Sequence, residues 1–202
     1  MANVDLKNDN VVDVERHPLP PFLPENGRVL MLGSFPPQRK RWCVDFFYPN
    51  FTNDMWRVMG LVFYGDALRF VDVENKVYRK EEIVAFLCEK GIGLYDTACA
   101  VRRLMDNASD KDLEVVERTD VEALLERMPM CRVIVTTGQK ATETICEQYG
   151  VAVPKVGTFS EFLLGGNRFR LYRMPSTSRA YPLALAKKAA AYGAMFAEVL
   201  GV

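Results

Sequence analysis

Residues Cys131-Arg-Val-Ile-Val-Thr-Thr137 form a short apolar, β-branched run that stops at Gly138 and gives way to helical spacing up to about Tyr149. A run of this length and composition, closed by glycine, is a buried strand, and the helix behind it is a crossover. The pattern recurs along the chain. Arg28-Val-Leu-Met-Leu-Gly33 ends in glycine and then Pro36-Pro37, Gly91-Ile-Gly-Leu-Tyr95 is a further core strand, and Arg168–Met174 alternates with period two. Helical spacing separates them at Thr52–Met59, Arg79–Glu89 and Thr119–Met128, the last opened by a possible capping box of Thr119 with Glu122. An alanine-rich helix is expected over Ala180–Leu200, with Pro182 in its first turn. Strands alternating with helices define an α/β class with a mostly parallel sheet. Residues 1–27 read as an N-terminal tail and proline-rich lead-in loop, and 28–202 as a single domain.

Composition narrows the function classes. Hydrophobic residues are 49% and charged residues 26% of 202, which supports a real core and excludes disorder for most of the chain. Lys+Arg and Asp+Glu are 26 each, so the chain does not coat nucleic acid by bulk charge, although a local basic groove is compatible with that balance. The five cysteines contain no Cys-x-x-Cys spacing and are odd in number, against a zinc ribbon, an iron–sulfur run or a disulfide scaffold. Buried free thiols in a reducing, cytoplasmic setting are the simplest reading. No apolar run approaches the ~20 residues that span a bilayer, and the polar, acidic start is neither a signal peptide nor an anchor.

Ligands of such sheets bind at the carboxyl ends of the strands. Gly33-Ser-Phe-Pro-Pro37, Asp96 with Thr97, and Pro175-Ser-Thr-Ser-Arg179 all fall at such ends, and the loop carrying Asn53 follows the first, so one cleft is expected to gather them. The single histidine, His17, lies in the proline-rich segment and reads as a solvated loop residue, which disfavours Ser-His-Asp or Cys-His chemistry. Ser34 and Phe35 form either a tight turn or a rigid wall with an aromatic face for a planar ligand. Asn53 is either a cap or a neutral amide that holds a water and grips a heterocycle. Asp54 is either a general base or a first-turn acid. Ser176, Thr177, Ser178 and Arg179 lead towards a helix and suit phosphate, or else Ser178 simply caps it. Arg39, Lys40 and Arg41 beside Trp42 make a basic and aromatic loop patch of the kind that meets nucleic acid, or a solvated face.

Taken together, four blocks resemble the uracil-DNA glycosylase superfamily, most closely its hypoxanthine-DNA glycosylase (DNA-deoxyinosine glycosylase) branch. They are Leu30-Met-Leu-Gly-Ser-Phe-Pro-Pro37, Phe47-Tyr-Pro-Asn-Phe-Thr-Asn-Asp-Met-Trp56, Gly91-Ile-Gly-Leu-Tyr-Asp96 with Ala108-Ser-Asp110, and Met174-Pro-Ser-Thr-Ser-Arg179. The resemblance implies a three-layer α/β/α sandwich with a central four-stranded, mostly parallel sheet. It implies hydrolysis of the N-glycosidic bond of a deaminated base, hypoxanthine or uracil, flipped out of DNA. Many relatives carry a catalytic Asn or Asp in the first motif where this chain has Phe35. In the hypoxanthine branch the Asn of the next block takes over, which corresponds to Asn53. The second-motif histidine of classical uracil enzymes is absent.

On this reading Asn53 holds the water or the leaving base, Phe35 and Tyr48 wall the base, and main-chain amides near Ser34 read its edge. Ser176, Thr177 and Ser178 grip phosphates, and Arg179 helps keep the duplex open. Arg39, Lys40, Arg41 and Arg179 are expected to ring the cleft. The general acid is not identified, with Asp54 a candidate and Asp96 read as structural. No metal or organic cofactor is expected; the partner is damaged DNA, not a membrane, and the chain is expected to be a monomer. Two other classes remain open: a noncatalytic nucleic-acid-binding relative, and a small-molecule hydrolase using Ser34 or Ser176.

Overall fold

The computed structural model describes residues 13–105 and 112–201; Ala108-Ser-Asp110 of the central block lies outside them. The chain runs β1 (Val14–Arg16), β2 (Val29–Gly33), α1 (Met55–Tyr64), β3 (Val71–Asp72), β4 (Val77–Tyr78), α2 (Lys80–Lys90), β5 (Ile92–Asp96), β6 (Ala98–Arg103), β7 (Leu113–Arg118), α3 (Val121–Glu126), β8 (Val133–Thr137), α4 (Gln139–Tyr149), β9 (Thr158–Leu164), β10 (Asn167–Met174) and α5 (Leu185–Leu200).

The central sheet has the order β5-β2-β8-β10-β9. Its first four strands are mutually parallel, as expected from their near-continuous apolar runs, and every residue of β2 and β5 is buried. The fifth strand was not expected. β9 returns antiparallel to β10 through Gly165-Gly166, whose φ of 54° and 76° both lie in the left-handed region that a two-residue hairpin turn needs.

From β2 the chain moves to one side, to β5, and then crosses back past β2 to β8 and on to β10. Right-handed crossovers in opposite directions put α1 and α2 on one face and α3 and α4 on the other. α5 packs against α1, which gives the three layers. The reversal of strand order beside β2 is the switch point at which a ligand crevice opens. Trp56 of α1 is fully buried in the core, its indole N–H donating to the Phe47 carbonyl at 3.2 Å.

A second sheet, β1-β6-β7, is antiparallel and lies outside the α/β pattern. Under it a small cluster forms from Phe35, Ala98, Val101 and Leu113. Residues 14–27 are therefore built into the fold: β1 pairs with β6, and Phe22 bridges Leu94 in both directions.

Three local expectations change. α5 begins at Leu185 rather than Ala180, because the residue before Pro182 is pushed out of the α region and the turn at 178–183 closes on its own hydrogen bonds. α3 is capped by Asp120, whose carboxylate accepts from Ala123 N at 3.0 Å, while the Thr119 hydroxyl donates to the Asp96 carbonyl at 2.6 Å instead of forming a capping box. All five cysteines are free, but only Cys131 and Cys146 are buried and Cys88 is exposed.

Candidate active site

The carboxyl ends of all four parallel strands open into one cleft of about 270 Å³, reached by Gly33, Asp96 and Thr137 and by the loop after Met174. Ser34, Phe35, Tyr48, Asn53, Ser176, Thr177, Ser178, Arg41 and Arg179 also line it. The three strand-end segments and the Asn53 loop therefore meet, as their positions in the sequence require.

Asn53 is held from several directions. Its carbonyl accepts from the Tyr78 hydroxyl at 2.6 Å and from Arg57 at 3.3 Å. Burial pushes the Tyr78 phenol up to about 12, so it stays a donor at neutral pH. Arg57 also lies over the Phe51 ring at 4.8 Å. The Asn53 side chain makes the local bond that the sequence offered and also lines the cleft. Its Oδ1 accepts from Met55 N at 2.9 Å, capping the start of α1, and this fixes the amide so that the Nδ2 donors remain for the cleft.

Asp54 does not reach the cleft. Its carboxylate is buried, 2.8 Å from the fully enclosed Lys188 ammonium, which also donates to the Ser178 carbonyl at 2.9 Å. Its backbone N–H donates to the Thr177 carbonyl at 2.8 Å. A carboxylate so committed is an anchor between the Asn53 loop, the 176–178 loop and α5, and it is withdrawn as the base or acid of the site. Lys188 gave no signal in the sequence, where it is one of two adjacent lysines on an alanine-rich helix.

Phe35 is buried, edge-on to the His17 ring at 5.4 Å. Tyr48 takes a φ of 50°, a left-handed conformation that costs a bulky residue about 1–3 kcal/mol and persists only where the surroundings impose it. The Cys43 N–H to Pro49 carbonyl bond of 2.9 Å closes the loop around it, and the Tyr48 hydroxyl lies 3.2 Å from Thr137 Oγ1. At the second motif, Ser176 Oγ accepts from Ser178 N at 3.2 Å and Ser178 Oγ from Ala180 N at 3.3 Å. These are loop turns and not a helix cap, since α5 starts at Leu185.

The basic residues divide. Arg41 and Arg179 are exposed at the cleft, whereas Arg39 and Lys40 are not part of its lining. Arg39 pairs with Asp45 at 2.8 Å and lies over Trp42 at 4.2 Å, so the expected ring is half formed.

His17 is the largest departure. Its side chain is only 2% exposed. Nε2 stands 2.9 Å from Asp96 Oδ2, and the ring packs against Tyr95 at 4.6 Å as well as Phe35. It is not a solvated loop residue. Arg103 was also missed: it lines the cleft, pairs bidentately with Glu15 at 3.0 and 3.1 Å, and donates to the Pro36 carbonyl at 3.1 Å. Among the described residues no group of three His, Cys, Asp or Glu side chains lies together as a metal site, and no helix is long and apolar enough to cross a membrane.

The chain is similar to two curated proteins named hypoxanthine DNA glycosylase. The one from Methanosarcina acetivorans is 32% identical over 127 residues, covering 61% of this chain and 72% of the relative. The one from Methanosarcina barkeri is 26% identical over 133 residues, covering 64% and 75%. A solution NMR structure of a Methanosarcina acetivorans protein, provisionally named a uracil DNA glycosylase, matches with a TM-score of 0.61 at 24% identity, over 93% of this chain and 99% of that one. At that identity the likeness speaks for the fold alone. No protein-family model matches the chain.

Proposed function

The chain belongs to the hypoxanthine DNA glycosylase branch of the uracil-DNA glycosylase superfamily, and from that membership we propose that it removes hypoxanthine from DNA by hydrolysing the N-glycosidic bond of deoxyinosine. The observation that carries this is the meeting of Phe35, Asn53 and the Ser176–Arg179 loop in one cleft at the carboxyl ends of the four parallel strands. At about 270 Å³ the cleft is near the lower end of ligand pockets, about 300–1,000 Å³, and suits one flipped nucleotide better than a larger ligand.

Breaking the C1′–N9 bond leaves positive charge on the sugar and sends an electron pair to the purine. Asn53 cannot take up a proton, so it positions. With Oδ1 held by Met55 N, its Nδ2 donors orient either the departing base or the attacking water. Phe35 and Tyr48 form the aromatic walls, and the amides of Ser34 and Phe35 face the base edge. Ser176, Thr177 and Ser178 grip the flanking phosphates, and Arg179 with Arg41 supplies positive charge at the rim. The substrate is DNA, the working unit is a monomer, and the setting is cytoplasmic.

The test is release of hypoxanthine from a deoxyinosine duplex. Asn53→Ala should slow excision by about 100-fold or more at nearly unchanged DNA affinity. Excision by Asn53→Ala at the parent rate would remove Asn53 from the site. A parent protein that binds the duplex but never cleaves it would favour the noncatalytic reading.

The rim cations make a second prediction. Arg179→Ala should lower the slope of log affinity against log salt by about 1, the value for one phosphate contact. Arg39→Ala should change the slope less, because Asp45 already answers its charge. Equal slopes for the two variants would contradict this division.

A further inference from the structure

The reaction just described lacks a proton donor. A purine departs far more readily once protonated than as an anion, and neither Asn53 nor a serine hydroxyl is acidic enough to supply the proton. Among the described residues that line the cleft, Asp96 is the sole carboxyl group. It ends β5, beside Gly33 at the end of β2.

Asp96 is backed by the sole histidine of the chain. Oδ2 is engaged with His17 Nε2 at 2.9 Å, which leaves Oδ1 as the oxygen available to the cleft. The other ring nitrogen meets one residue in two ways: His17 Nδ1 is 2.8 Å from the Leu19 carbonyl oxygen and 3.2 Å from the Leu19 N–H nitrogen. The first contact suits a protonated Nδ1 and the second an unprotonated one. The ring is therefore fixed at both nitrogens in either tautomer, and it holds Asp96 Oδ2 with no movement of its own. A side chain 2% exposed and packed among Phe35, Phe47 and Tyr95 is shielded from bulk water while it does so.

We propose that Asp96 is the general acid that protonates the leaving purine, and that His17 is the positioning residue that holds Oδ2 and so keeps Oδ1 towards the cleft. The assignment rests on the glycosylase reading and extends it. The Asp96 Oδ1–H proton passes to N7 of hypoxanthine as the C1′–N9 bond breaks and its electron pair moves into the ring. Neutral hypoxanthine and an oxocarbenium sugar result. Water adds its oxygen to C1′, and the proton it releases returns to Asp96 Oδ1. Throughout, His17 Nε2–H donates to Asp96 Oδ2 and Leu19 N–H donates to Nδ1.

The surrounding groups leave this proton to Asp96. Glu15 and Arg103 neutralise each other on β1 and β6. Burial pushes the Tyr95 phenol well above its ordinary range, so it stays protonated, and Cys99 is its thiol neighbour. Arg41 and Arg179 line the same cleft as Asp96, and the Tyr48 hydroxyl is committed to Thr137.

The experiment compares single-turnover excision, over the uncatalysed rate, from two duplexes: deoxyinosine, and deoxyinosine methylated at N7, whose base already carries the positive charge. Asp96→Asn should lose about 100-fold or more on the first and stay within about threefold of the parent on the second. An equal loss on both, or no loss on the first, overturns the assignment. A parent that cleaves neither duplex brings down the glycosylase reading, and this assignment with it. His17→Phe removes the donor to Asp96 Oδ2 and frees the carboxyl to turn. It should lose about tenfold or more on deoxyinosine and stay within about threefold of the parent on the N7-methylated duplex, and His17→Gln, which keeps a donor, should recover part of the loss. An equal loss on both duplexes would reduce His17 to packing and overturn its part.

Discussion

Lys188→Ala should lower the unfolding free energy by about 3–5 kcal/mol, because it strands the Asp54 carboxylate in the interior without its counter-ion. The Lys188 side chain is 1% exposed and that of Asp54 12%, so water can do little to replace the lost ammonium. The Ser178 carbonyl loses its donor at the same time. Urea unfolding followed by tryptophan fluorescence measures the effect, Trp56 being buried in the first turn of α1, which directly follows Asp54. The paired variant Lys188→Met with Asp54→Asn removes both charges together and should recover most of the stability, since the cost lies in the unpaired charge more than in the lost attraction. A drop below about 1 kcal/mol for Lys188→Ala would mean that Asp54 reaches solvent or another partner, and the anchoring role would fall.

The Lys188 pair also shows where sequence reading reaches its limit. The four parallel strands, their order of appearance and the glycines that close β2 and β8 are local features, legible in a window of ten or so residues. The strand ends therefore announced Ser34, Phe35, Asn53 and the Ser176–Arg179 segment before their meeting was visible. What stayed hidden is non-local. Asp54 and Lys188 lie 134 residues apart, and nothing around Lys188 in an alanine-rich helix marks it as buried. His17 and Asp96 are 79 residues apart, and the prolines around His17 suggest only an extended loop. β1 has three residues and gains its identity from β6. The Arg39–Lys40–Arg41 patch misled for the opposite reason: a run of charge is conspicuous in sequence, yet a 3-10 turn over those residues sends only Arg41 to the cleft.

Gly33→Ala should abolish most excision while leaving the protein folded. Gly33 is an extended residue of β2 whose φ is not positive, so alanine meets no backbone penalty there. The obstacle is spatial. A Cβ at this position would stand 2.3 Å from Asp96 Oδ1 and 3.8 Å from the Tyr48 hydroxyl. One of the two strands could shift only by disturbing the β2–β5 register that pairs Gly33 with Asp96. The cheaper response is rotation of the Asp96 side chain away from Gly33, which moves Oδ1 by about an ångström and loosens the contact of Oδ2 with His17. A misplacement of that size costs about 100-fold in rate when the displaced group must meet a reacting atom. Deoxyinosine excision by Gly33→Ala should therefore fall by about that factor, with a thermal midpoint within a few degrees of the parent. The double variant Gly33→Ala with Asp96→Asn should be no slower than Asp96→Asn alone, because both changes remove one function. Multiplied losses in the double variant would show that Gly33 serves the base directly, as backbone that a purine must approach, and not through Asp96.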